Sequence, residues 1–348
     1  MIKLRSVSCI FFLLICCACI MQDEKPSFFE GQTMGTTYHI KLIPQLNGPK
    51  ELQTHEGIKA VLDKVNKQMS TYIEDSELSK FNRLKKGETM KPSAEAYGVI
   101  MRAIDIGRDT NGAFDVTVGP LVNLWGFGAQ GNKRTIPPSL EEIMEVKKNV
   151  GIDYIEIDFV NEVVGKRHEN IYVDLAAIAK GYGVDAVATY LSENGFSNFM
   201  VEIGGEVRVS GFKDIENKKR WLVAIEKPFV DKRESGRLLP VTDISIATSG
   251  DYRNFFEYDK VRYSHIIDPR TGYPVKNNLT SVTVLASDCV DADAYATALS
   301  VMGEANGLDF ANEKKLKVIF YVRVLDSTGK ESHKEIMSKE MEKYLEQL

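Results

Sequence analysis

The chain has 348 residues, 43% hydrophobic and 27% charged, a globular composition with enough apolar mass for a large core. Its formal net charge of −5 excludes a general nucleic-acid binder, which needs a basic face to neutralise phosphates. No apolar span of membrane-crossing length follows the N-terminus. Four of the five cysteines precede residue 20, which excludes a disulfide framework for the mature chain.

The first element is a targeting segment. Lys3 and Arg5 form a basic start, residues 9–15 are apolar, and Cys16-Cys17-Ala18-Cys19 leads into polar Gln22–Lys25. This resembles a bacterial lipoprotein signal over residues 1–19. Cys19 after Ala18 is the first choice for lipidation and Cys17, with Leu14 three before it, the second; an ordinary secretory signal or an uncleaved anchor is the alternative. The mature protein is then expected outside the cytoplasm, on the periplasmic side of the inner membrane, joined by a tether over 20–30 to one domain over 31–348.

A strand is predicted over 34–42. Ile58, Leu62, Val65 and Met69 mark an amphipathic helix. Ser93 caps a second helix carrying Ala96, Val99, Ile100, Ala103 and Ile104, and Ser139 with Glu142 forms a capping box for a third. Asp174 opens a longer helix ending at Asn194-Gly195. Strand-like runs lie at 154–159, 170–173, 199–203, 206–210, 221–226, 243–248, 261–267, 281–286 and 316–324, and a turn at 327–330 precedes a charged C-terminal helix. Strands in groups with helices between them predict an α+β fold: mixed, largely antiparallel sheets with packed helices.

Five segments have chemical content. Asp293 and Thr297 lie one helical turn apart on one face of the Ala-rich run Asp291–Thr297, a pattern that suits a hard cation and equally suits a plain core helix. Asp291, off that face, reads as a cap. An apolar run enters Asp174, and the helix start with Lys180 and Gly181 suits a phosphate, or is simply a capped helix with a solvated lysine. Gly204-Gly205 and the loop 111–120 read as turns or as close backbone approaches to a ligand. His265 precedes the turn Asp268-Pro-Arg-Thr271-Gly272 and is a candidate base or a structural histidine. Zinc, P-loop, Rossmann and G-x-S-x-G motifs are absent.

In order along the chain, eight segments resemble the ApbE family of FAD:protein FMN transferases. They are Met34–Tyr38, Ser70–Tyr72 with Ser76-Glu77, Gly112–Val116, Val173–Gly181, Val201–Gly205, Thr248–Gly250, His265–Gly272 and Asp291–Thr297. The resemblance implies Mg²⁺-dependent transfer of FMN from FAD to a threonine hydroxyl of a target protein, with release of AMP. It implies FAD contacts at Met34, Tyr72, Ala113, Phe114, Asp115, Asp174, Lys180 and Ile267. It further implies metal ligation by Asp293, Thr297 and the Ala177 carbonyl, with His265 as base. The implied partner is an acceptor bearing Asp-x-x-Thr-Gly-Ala/Ser-Thr, a membrane redox subunit in the usual case. Thr271 lies in a similar but incomplete motif and reads as part of a turn. Lys180, and Glu206 as a departure from the family pattern, are both expected to stand clear of the metal set. A hydrolase giving FMN and AMP from FAD, or a non-enzymatic flavin-binding lipoprotein, are the competing readings.

Overall fold

The structure is a computed structural model that describes residues 26–43, 51–129, 133–227, 234–250, 254–325 and 331–348. The signal segment with its candidate lipidation cysteines, residues 20–25 of the tether and the turn at 327–330 lie outside the described residues. The first half of the chain contains β1 (Ser27–Thr33), β2 (Thr36–Leu42), α1 (Glu51–Met69), α2 (Glu77–Arg83), β3 (Thr89–Met90), α3 (Ala94–Asp109), α4 (Gly119–Leu124), α5 (Leu140–Lys147), β4 (Ile155–Asp158) and β5 (Val163–Lys166). Then come α6 (Ala176–Glu193), β6 (Phe199–Ile203), β7 (Glu206–Ser210), β8 (Trp221–Lys227), β9 (Glu234–Val241), β10 (Ile244–Gly250), β11 (Phe255–Tyr258), β12 (Val261–Ser264), β13 (Ile267–Asp268) and β14 (Tyr273–Pro274). The chain closes with β15 (Leu279–Ala286), α7 (Cys289–Met302), α8 (Glu304–Glu313), β16 (Lys317–Leu325), β17 (Glu331–Met337) and α9 (Lys339–Glu346).

One eight-stranded sheet, in the order β1-β2-β6-β7-β10-β15-β16-β17, organises the molecule, and all of its pairings are antiparallel. Its central strands are buried on both faces. Along β15 Val282 and Val284 pack toward α7 and α8, whereas Leu285 packs toward the β8–β9 hairpin and α9. The two-residue side-chain period of a strand produces that division. A three-stranded sheet, β3-β5-β4, forms a further layer with α2 and α3.

The helices α6 and α7 lie between these layers. In α6, Ile178 and Ala179 face the α3 layer, while Val184, Val187 and Leu191 face β1, β2 and β6. In α7, Ala294 and Ala298 join the α3 layer and Ala292, Ala296 and Leu299 join the main sheet. A helix apolar on all sides is a buried helix, and this burial brings the Asp174 and Asp291 segments side by side.

Local signals behave as their chemistry dictates. Ser93 Oγ accepts from the Ala96 N–H, and Ser139 and Glu142 make the complete capping box. Four expectations are corrected. The tether ends earlier than residue 30, because Ser27 onward pairs with β2. Residues 170–173 run without a ladder partner, and the Asn82 side chain serves the backbone there: its Nδ2 donates to the Val173 carbonyl and its Oδ1 accepts from the Val173 N–H. The predicted 261–267 strand breaks into β12 and β13 around His265. A further strand, β17, precedes the C-terminal helix; it is the sheet's edge and carries charges along it, as edge strands do.

Candidate functional site

The site begins where α6 and α7 touch. A Cβ on Gly181 would collide with the Cys289 carbonyl and lie 2.8 Å from Asp293 Cβ, so the two backbones meet only because this residue is glycine. The Gly181 N–H donates to Asp293 Oδ2 at 2.9 Å. In a regular α-helix that N–H points at the carbonyl four residues back, Ala177, so Asp293 reaches the helix at the turn that carries the Ala177 carbonyl. Thr297 lies half-buried one turn further along α7. Gly181→Ala is expected to cost about 1–3 kcal/mol through overpacking, measured by urea unfolding; an unchanged midpoint would show that the helices separate freely.

The α7 N-terminus is held from α6. Asp185 accepts from the Cys289 and Val290 N–H groups at 3.0 and 2.9 Å and pairs with Arg208. Asp291 is therefore not the cap. Its carboxylate is gripped by Arg102 through Nε and Nη2 at 2.6 and 2.7 Å, which ties α7 to α3.

Asp293 has charged company. Lys180 Nζ lies 3.5 Å from Asp293 Oδ1 and 2.7 Å from Glu206 Oε1, so Lys180 does not stand clear of the expected metal set, and Glu206 is linked to it through Lys180. Glu206 is 2% exposed, and its Oε2 is buried with no hydrogen-bond partner. Burial opposes charge on Lys180, but Asp293 and Glu206 outweigh it and hold its pKa above the ordinary value. Burial pushes the Glu206 carboxyl up, against the pull of Lys180. Lys180 is thus shared between two acidic side chains. Oxygen donors and an orphaned carboxyl oxygen fit a hard divalent cation. Among the described residues no three His, Cys, Asp or Glu side chains gather as a metal site; the expected set has one carboxylate and two neutral oxygens.

Lys180 also borders a cleft of ≈ 590 Å³ that Met34, Tyr72 and Asp174 line with it, a volume within the range of small-molecule sites. Four of the expected FAD contacts thus share one wall-to-wall space. Met34 sits in the left-handed region (φ 49) at the β1–β2 turn and packs its Cε against α6 at Gly183. Tyr72 is 78% exposed, an aromatic face at the rim. Asp174 Oδ1 accepts from the Ala176 N–H at the start of α6. At Gly204 (φ +61) a Cβ would press on Thr36 and lie 3.4 Å from Lys180 Cδ, which is how the β6–β7 turn approaches the lysine stem.

The other expected FAD contacts do not line this cleft with their side chains. Ala113 and Phe114 are 1% and 2% exposed. The Asp115 carboxylate is occupied by the Thr117 N–H and hydroxyl, at 2.7 and 2.6 Å. Ile267 packs with Leu121, Trp125 and Ile143. This loop is nevertheless joined to the cleft, because the Asp174 N–H donates to the Val116 carbonyl at 2.7 Å.

His265 follows β12, and its Nδ1 lies 3.1 Å from the Asn254 carbonyl. A carbonyl only accepts, so Nδ1 carries the proton and Nε2 keeps its lone pair. Burial lowers the imidazole pKa, against the raising effect of the Asn254 carbonyl, and the charge of Lys180 lowers it further. The ring is therefore neutral at neutral pH and has a free basic nitrogen. Beyond it, Thr271 and Gly272 donate back to the Asp268 carbonyl, and Trp125 Nε1 donates to the Gly272 carbonyl at 2.9 Å, so the Thr271 segment is the turn it was read as. Asp185 had no signal in the sequence, since an acid in mid-helix is ordinary, and Glu206 stood out only as a departure from the family pattern.

Comparison with known proteins shows what the chain as a whole is similar to. The ApbE family model matches residues 34–320. A protein of Vibrio cholerae named FAD:protein FMN transferase is 47% identical over 308 residues, covering 87% of this chain and 90% of its own. One of Haemophilus influenzae with the same name is 43% identical over 88% of this chain and 89% of its own. The solved flavin transferase ApbE from Vibrio cholerae superposes with a TM-score of 0.83 at 42% identity, over 92% of this chain and 99% of that one. The apo form of the Pseudomonas stutzeri flavinyl transferase ApbE gives a TM-score of 0.83 at 34% identity, over 92% and 96%.

Proposed function

The chain belongs to the ApbE family of flavin transferases, and from that membership we propose that it moves FMN from FAD to a threonine hydroxyl of a target protein, with Mg²⁺ as cofactor and AMP as the second product. The observation that carries this reading is the meeting of the nucleotide-sized cleft with the Lys180–Asp293 cluster on one side chain, Lys180.

Asp293, Thr297 and the Ala177 carbonyl would hold the magnesium ion, which supplies charge neutralisation at the diphosphate. Lys180 adds a point charge for the phosphates, and Tyr72 offers a ring face to the flavin. His265 Nε2 takes the proton of the threonine hydroxyl as its oxygen bonds to the flavin-side phosphorus. The bond from that phosphorus to the bridging oxygen breaks, and AMP leaves with the electron pair. Such a displacement depends on positioning and charge stabilisation, and an alcohol nucleophile needs an adjacent base.

The acceptor is a protein with the motif Asp-x-x-Thr-Gly-Ala/Ser-Thr. The site of action is the periplasmic side of the inner membrane, reached through lipid on Cys19 or Cys17; this rests on the N-terminal sequence, and among the described residues no helix is long and apolar enough to cross a membrane. Incubation with FAD, Mg²⁺ and a domain bearing the motif is expected to add FMN to the threonine, read by mass spectrometry. FMN and AMP without an adduct would make the protein a hydrolase, and unchanged FAD would remove both readings.

A further inference from the structure

The geometry points to a second duty for Lys180: it is the resident counter-ion of Asp293, held in place by Glu206, and a divalent cation that binds Asp293 displaces it toward the nucleotide phosphates. This rests on the magnesium reading above. Lys180 is anchored at 2.7 Å on Glu206 Oε1 and stands at 3.5 Å from Asp293 Oδ1, so its contact with Asp293 is the looser of the two. Glu206 opens β7, Lys180 belongs to α6 and Asp293 to α7, so three separate elements converge on one ammonium.

Glu206 is a positioning residue in this arrangement. A buried carboxylate is tolerated only opposite a compensating charge, and the Lys180 ammonium is the cation in contact with it. The lysine stem lies against the Gly204 turn, at 3.4 Å from the position a Cβ would take. The head group is then the part with freedom to move, and the same side chain borders the cleft beside Met34 and Asp174. An ammonium and a divalent ion a few ångströms apart repel strongly in a partly buried site. Asp293 therefore holds one or the other, and loading of the ion is coupled to delivery of Lys180 to the nucleotide.

The test is Mn²⁺ binding without flavin, followed by electron paramagnetic resonance of the free ion. Lys180→Met is expected to tighten binding about tenfold, because the competing charge is gone, and Glu206→Gln to weaken it about tenfold. The double variant, which restores the net site charge of the native protein, should return close to native affinity. Unchanged or weaker Mn²⁺ binding by Lys180→Met overturns the proposal. If that variant does not fold, as judged by thermal unfolding, a double variant that binds Mn²⁺ about tenfold more weakly than the native chain overturns it instead. Asp293→Ala separates the two levels of argument. Native Mn²⁺ affinity in that variant would refute the magnesium site itself, whereas lost affinity beside an unaltered Lys180→Met refutes the lysine exchange alone.

Discussion

Asp293→Ala is expected to reduce magnesium-dependent consumption of FAD by about 10²–10³-fold, the scale of losing one preorganised electrostatic group at a developing charge. The structure indicates that the fold survives. The Gly181 N–H loses Asp293 Oδ2 and is left the regular helical acceptor, the carbonyl four residues back. Lys180 retains Glu206 as its partner. Chelation of the metal should reduce the native enzyme to the level of the variant and leave the variant unaffected. Turnover of Asp293→Ala at the native rate in Mg²⁺ would take Asp293 out of the metal set.

His265→Ala should lower FMN transfer by about 10²–10⁴-fold, the usual contribution of a positioned acid or base, while FAD binding stays near native. The Nδ1–H bond to Asn254 fixes the tautomer that makes Nε2 the base, and among the described residues no other hydrogen bond depends on that ring. The pH dependence follows from the lowered pKa. The neutral base persists below the ordinary histidine value of about 6.5, so kcat/KM should hold through neutral pH and fall only on the acid side of that value. His265→Ala should abolish that limb. The same depression means the unfolded chain takes up a proton before the folded one does. Its contribution to stability is complete above about 6.5 and is lost as pH falls through the folded value. An acid limb centred above 6.5, or transfer by the variant at the native rate, would deny His265 the base role.

Part of the candidate site is gathered from residues that the sequence motifs named. The family resemblance named Met34, Tyr72, Asp174 and Lys180, and the structure places all four around one cleft. The capped helices were legible from local chemistry: Ser93, Ser139 and Glu142 act within one turn of themselves. The strand at 170–173 was misread because an apolar run looks identical whether a ladder or the Asn82 side chain serves its backbone. Asp291 was misread for a related reason: its partner, Arg102, is 189 residues away in the chain.

The sequence by itself determined the family and the α+β class, and it named the residues expected to hold a cation or move a proton. Periodicity, caps and ordered motifs report what a segment does within its own few turns. Only the tertiary structure decided that Asp185 caps α7, that His265 Nε2 is the free nitrogen, and that Glu206 and Asp293 share Lys180. The contacts of Asp185 and Asp293 join residues far apart in the chain, 113 positions for Lys180 and Asp293, whereas the His265 tautomer is set by a carbonyl 11 residues away. The long-range contacts follow from burying α6 and α7 side by side against one sheet, and no pattern within either helix contains that information.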